Sequence, residues 1–417
     1  MAQAARPVVH APVSECVLFP CALEATPVLN PVKEPLFPSF FWGGIECSSH
    51  VNAAGRRLDQ MAATQHDRLC RADYARMAAL GIRTVREAAR WHWCDRFGGQ
   101  EYDFSVVTRM AEAAQREGMC LVWDLCHYGY PDDVDPFSPA FVTRFADFCA
   151  AFARQVLPTL DSPSQLWVTP INEPSYFAWA AGDGRRFAPL AAGRAGDLKA
   201  QLVRASIAGL DAIWSVAPGA GVLSCDPLVR AVAPWDAPEL ADAAQQWSEW
   251  AVTESFDWLA GLRYPELGGA RRYLGAVGLN IYALCQWEYE RPRSFLSPTD
   301  PRWWPIRRLL QFASDRWGGP IVIAETGETR ERRAPWLRDL LGEVDAARAA
   351  GVDVQGVCLY PVLGPPDWED TTAFYESGLW DLLPQPDGTL ARILHEPLAA
   401  TMTAWLTRAA PQKEPVP

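Results

Sequence analysis

The sequence predicts an α/β fold: a single (β/α)8 TIM barrel over residues 40–410, preceded by an extended Pro-rich N-terminal arm (1–39) and followed by a short tail (411–417). Three observations carry this expectation. Short apolar runs alternate with longer amphipathic ones about eight times along the chain, and eight repeats close a barrel more naturally than they extend an open sheet. The apolar runs are continuous, as in parallel strands buried on both faces. No short fixed-period repeat marks a solenoid.

Taken in order, the arm carries Pro7, Pro12, Pro20, Pro27, Pro31, Pro35 and Pro38, and each proline fixes φ and removes a donor. Candidate strands follow at 40–46, 82–87, 120–126, 165–171, 221–225, 277–282, 321–325 and 354–362. Candidate helices lie at 67–80, 104–118, 138–157, 196–216, 238–262, 302–316, 334–350 and 389–408. Gly81 after Ala79-Leu80 and Gly351 after Ala349-Ala350 stand where helices stop, and His66 and Asp67 are expected to cap the first outer helix.

Composition narrows the function. The 417 residues are 49% hydrophobic and 21% charged, with a net charge of −12, a globular balance without the basic footprint that phosphate backbones require. Nucleic acid is therefore not an expected partner. No run of 18 apolar residues is present, so no membrane-spanning helix is expected. The 11 cysteines are odd in number and unpaired in spacing, which argues for free thiols rather than a disulfide framework or a zinc site. Residues 1–12 lack the basic start and apolar stretch of a signal peptide, and the expectation is a cytoplasmic protein. Nothing in the spacing calls for a metal, haem or flavin, so no cofactor is expected. The 19 Trp suit a core, and also the apolar faces of sugar rings.

Polar residues at the C-terminal ends of barrel strands point into one shared pocket. Here they are Glu46, Arg86, His127, Asn172, Glu173, Tyr282, Glu325 and a segment from Tyr360 to Trp368. Glu173 and Glu325 each end a strongly apolar run, three β/α units apart. Two carboxylates around one mouth suggest a paired acid and base; the alternative is that each caps a helix or pairs with a surface Arg. Arg86 is suited to hold a carboxylate ionised, and the Asn172 amide to bond a substrate hydroxyl.

At this point the sequence resembles the family 1 glycoside hydrolases, the β-glucosidase family, and more broadly the retaining (β/α)8 glycosidases. Phe41-Trp42-Gly43-Gly44 is similar to the opening F-x-W-G strand of that family, and Asp73-Tyr74 through Leu80-Gly81-Ile82 to Val85-Arg86 resembles the stretch leading to Y-R-F-S, with Trp91 at its Trp. Leu125-Cys126-His127-Tyr128 resembles L-Y-H-W, Thr169-Pro170-Ile171-Asn172-Glu173-Pro174 resembles T-x-N-E-P, and Phe187-Ala188-Pro189 resembles H-A-P. Asp257-Trp258-Leu259 with Gly261 and Tyr264-Pro265 is similar to D-P-L-x-x-G-x-Y-P, Gly278-Leu279-Asn280-Ile281-Tyr282 to G-x-N-Y-Y, and Ile323-Ala324-Glu325-Thr326-Gly327 to T-E-N-G. The matches run in order over roughly 40–408.

The resemblance implies a retaining β-glycosidase acting on a small β-glycoside. Glu173 would be the general acid/base and Glu325 the nucleophile, supported by Arg86 and Tyr282. His50, Trp91, His127, Asn172, Tyr360, Asp367 and Trp368 would bind substrate. The sequence departs from the family pattern on the recognition side. His50 stands for a sugar-contacting Gln, or else is a rim histidine. Tyr360 replaces a Trp platform, and Asp367 replaces a longer Glu that grips sugar hydroxyls. Lys is absent from the loop after Trp368, where Glu369-Asp370 follow, which argues against a phosphorylated sugar. Two alternatives stay open: a transglycosidase using the same intermediate, and a non-catalytic sugar-binding barrel.

Overall fold

The computed structural model describes residues 35–291, 293–368 and 372–409. Residues 1–34 of the arm, Glu369-Asp370 and the tail 411–417 lie outside the described residues.

Eight parallel strands close into a barrel: Phe41–Gly44, Thr84–Ala88, Cys120–Cys126, Trp167–Ile171, Gly221–Pro227, Ala276–Asn280, Ile321–Thr326 and Val354–Leu359. The first strand pairs with both the second and the eighth (Trp42 opposite Thr84 and Cys358), which closes the ring. All eight expected strands are present, with ends shifted by a few residues. Their continuous apolar runs follow from two cores. Phe37, Trp42, Val122, Leu223, Val322 and Cys358 fill the barrel interior, while a larger cluster lies between the strands and the outer helices. Phe37, just ahead of the first strand, packs 4.3 Å from Trp42 and 4.6 Å from Trp167 (ring centroids).

The outer helices include His66–Ala79, Ser105–Glu117, Pro139–Val156, Ala195–Val216, Ile306–Trp317 and Arg333–Ala349. Gly81 (φ 79°) and Gly351 (φ 94°) follow two of them in the left-handed region, where a side chain is strained. None of the helices among the described residues is long and apolar enough to cross a membrane.

Three expectations need correction. The run 389–408 is not one helix: Leu390–Leu394 pairs antiparallel with Trp380–Pro384, and the helix begins at Glu396. The Asp387-Gly388 turn between those strands is a hairpin signal. The run 238–262 is interrupted by a π-helical turn, Glu249–Thr253, whose Trp250 carbonyl accepts from the buried Lys199 ammonium at 2.7 Å. His66 does not cap its helix. It is buried, with Nδ1 3.0 Å from Asp73 and Nε2 2.9 Å from Glu87; Tyr74 also donates to Glu87, and Arg392 binds Asp73 through two nitrogens.

The nine described cysteines are all free, and eight of them are buried.

Candidate active site

Alternation along the second strand turns Arg86 into the barrel and Glu87 out towards His66. Arg86 is completely buried, so its charge needs partners on every side. Nη1 donates to Glu325 Oε1 at 2.8 Å, Nη2 to Asn172 Oδ1 at 2.5 Å, and Nε to Asp124 Oδ1 at 3.2 Å. One guanidinium thus ties together the ends of the third, fourth and seventh strands. The other oxygen of Glu325 accepts from Tyr282 Oη at 2.8 Å.

Asp124 also binds His127 Nδ1 at 2.8 Å, and Asn172 Nδ2 lies 3.0 Å from His127 Nε2. The Arg86 bond fixes the Asn172 amide, so its nitrogen donates to His127 Nε2, and the proton of the neutral ring sits on Nδ1, facing Asp124. Cys47, Asp124 and His127 offer ligand-type atoms within 4.8 Å of one another. The Asp124 carboxylate is already paired with Arg86 and His127, and a metal ion there would face the guanidinium, so the set does not fit a cation.

Glu173 sits at the start of helix Pro174–Gly182 in the left-handed region, φ 45°. Its Oε1 accepts from Asn280 Nδ2 at 2.8 Å, and its Oε2 from the Tyr128 hydroxyl. No cation among the described residues is bonded to it. Burial, then the charge of Glu325, push its pKa up to about 8, against the opposing hydrogen bonds of Tyr128 and Asn280. Glu173 and Glu325 are 8% and 5% exposed, so both sit in a pocket that is largely dry.

The remaining wall comes from the first and eighth strands. Tyr360 lies parallel to His127 at 6.0 Å, and the Arg86 guanidinium stands 5.3 Å from its ring centroid. Its hydroxyl accepts from the Cys47 amide at 3.0 Å and lies 3.5 Å from Glu46 Oε1. Glu46 is 8% exposed, and Oε2 carries no hydrogen bond from the described residues; burial raises its pKa. His50 packs 4.5 Å from Trp368 and 4.8 Å from Phe187, with Nδ1 buried and unpartnered. Burial, with the Arg57 charge, pulls its pKa down to about 3, so it is neutral.

One sequence-predicted residue, Trp91, stands apart from this arrangement. Trp91 is fully buried among Phe141, Phe145 and Phe148, and its indole nitrogen donates to Asp95 at 3.1 Å. That is a packing role, because no face of the ring is open to a ligand. The Asp367 carboxylate accepts from the Tyr375 hydroxyl. Sequence reasoning gave no role to Asp124, Tyr128 or Asn280, although the lone acid in the apolar Cys120–Cys126 run was a usable signal for the first.

No family model matches the sequence. Among solved structures, the Family 1 β-glucosidase from Thermotoga maritima superposes with a TM-score of 0.71 at 14% identity, over 89% of this chain and 98% of that one. The AHE enzyme from Alicyclobacillus herbarius gives 0.71 at 15% identity, over 90% and 100%. The Lactase-like protein of Mus musculus is 28% identical over 113 residues, 21% of this chain; the match spans only 20% of that protein. Over nearly its whole described length, the chain has the fold of the family 1 β-glucosidase from Thermotoga maritima.

Proposed function

We propose that the chain is a retaining β-glycosidase of family 1 type, hydrolysing a small β-glycoside in two displacements. The observation that carries this reading is the unequal treatment of two facing carboxyls. Glu325 is bonded to a buried guanidinium and a phenol. Glu173 has no cation among the described residues, faces the charge of Glu325, and is raised above the usual carboxylate range. Such a split supports Glu325 as the nucleophile and Glu173 as the acid.

In the first step a Glu325 oxygen bonds to the anomeric carbon and the glycosidic C–O bond breaks. The Glu173 proton goes to the departing oxygen. In the second, water bonds to that carbon, Glu173 takes a proton from the water, and the ester to Glu325 breaks. Asn172 and His127 stand in the wall beside Glu173, their own donors committed to His127, Tyr128 and Asp124. Glu46 and His50 add an acceptor oxygen and a neutral imidazole on the opposite wall, and Trp368 offers an aromatic face.

The test is a panel of aryl β-glycosides (gluco, galacto, fuco, manno, xylo), followed by the 2-fluoro analogue of the best substrate. A mass gain on the peptide containing Glu325 is expected. Tight binding without a covalent adduct would identify a binder instead of an enzyme.

A further inference from the structure

The Glu173 carboxyl is gripped by protein at both oxygens, and the two grips differ in kind. Asn280 Nδ2 can only donate, so Oε1 stays a bare acceptor and the exchangeable proton belongs on Oε2. The partner of Oε2 is a phenol, which both donates and accepts. Tyr128 Oη already accepts from Asn172 Nδ2 at 3.1 Å. Asn172 is in turn oriented by Arg86, which also holds Glu325. The two carboxyls are therefore the ends of one hydrogen-bonded path, Glu325–Arg86–Asn172–Tyr128–Glu173.

The ring that carries this hydroxyl has little freedom. Tyr128 is 3% exposed, has φ 64°, and packs with ring centroids 5.2 Å from Phe187 and 5.6 Å from Phe177. With one lone pair committed to Asn172, its O–H is left to point at Glu173.

We propose that Tyr128 is a positioning residue for the acid–base step: its hydroxyl, pinned by Asn172, holds Glu173 Oε2 in place for proton transfer and stabilises the charge that the departing proton leaves there. The proposal rests on the glycosidase reading above. As the Glu173 O–H bond breaks, the proton passes to the glycosidic oxygen and the electron pair stays on Oε2. The Tyr128 bond to that oxygen then becomes charge-assisted and strengthens. Tyr128 keeps its own proton throughout, in this step and when Glu173 takes a proton from water. Besides Tyr128, the ionisable groups acting on Glu173 are Glu325, Asp226, Tyr176 and Tyr282, and none of these donates a hydrogen bond to it.

The experiment compares wild type with Tyr128→Phe on two glycosides of the best sugar from the panel, one alkyl and one 2,4-dinitrophenyl, across pH. Removing the hydroxyl takes a donor from the carboxylate, so the basic limb of kcat/KM should move up by about one pH unit. The alkyl glycoside should lose roughly 10- to 100-fold in kcat/KM. The dinitrophenyl glycoside needs no proton to leave, so it should stay within about threefold, which also reports an intact fold. An unmoved basic limb, or an equal loss on both substrates, overturns the proposal. Failure of wild type on every glycoside would instead overturn the glycosidase reading.

Discussion

His66 makes the stability of this protein depend on pH in a direction that can be worked out from its contacts. Both ring nitrogens face carboxylates, Nδ1 at 3.0 Å from Asp73 and Nε2 at 2.9 Å from Glu87. A neutral ring can donate only once, so only the imidazolium satisfies both partners. Burial opposes that charge, but Glu87 and Asp73 outweigh it and raise the pKa from 6.5 to about 9. The folded state therefore holds this proton more tightly than the unfolded chain. The resulting stability is present in full below pH 6.5 and is lost as the pH rises through about 9. At about 1.4 kcal/mol per unit, the shift is worth roughly 3.5 kcal/mol. Urea unfolding of wild type and His66→Gln at a series of pH values measures it. The gap between the two proteins should narrow by roughly that amount from pH 6.5 to above 9. Parallel curves would refute the argument, as would a His66 proton resonance titrating near its unperturbed value.

Two further outcomes follow from the pocket. Glu325→Gln should abolish turnover whatever the leaving group, whereas Glu173→Gln should lose roughly 10²- to 10⁴-fold on alkyl glycosides and spare activated aryl ones; mild, equal losses in steady-state kinetics would count against the assignment. Glu46→Gln keeps the shape but removes an unpaired acceptor, Oε2, and should raise KM roughly 10-fold or more with kcat little changed; an unchanged KM would exclude Glu46 from sugar binding.

The barrel was legible because its strands are buried on both faces and so read as unbroken apolar runs. Arg86, Glu173 and Glu325 were legible because a charged residue at the end of such a run has few other places to go. What the sequence hid was set by partners remote along the chain. Trp91 stands at a motif position, yet Phe141, Phe145 and Phe148 enclose it. Tyr128 reads as one more aromatic until Asn172 and Glu173 are brought to its hydroxyl. The hairpin Trp380–Pro384 with Leu390–Leu394 was masked by a helix-like apolar spacing, although its Asp387-Gly388 turn was in plain view.

The free cysteines give the molecule a built-in clock. Burial lifts their thiols, Cys70 and Cys120 to about 11 and Cys94, Cys225 and Cys285 to about 12, so almost no thiolate exists at neutral pH and alkylating reagents find little to attack. Each buried sulfur among the described residues reacts only when its own stretch of barrel opens. Cys47 and Cys358 flank the first strand and end the eighth, while Cys149 sits in an outer helix, so the order in which they acquire label would trace the sequence in which the seam and the surrounding layer come apart.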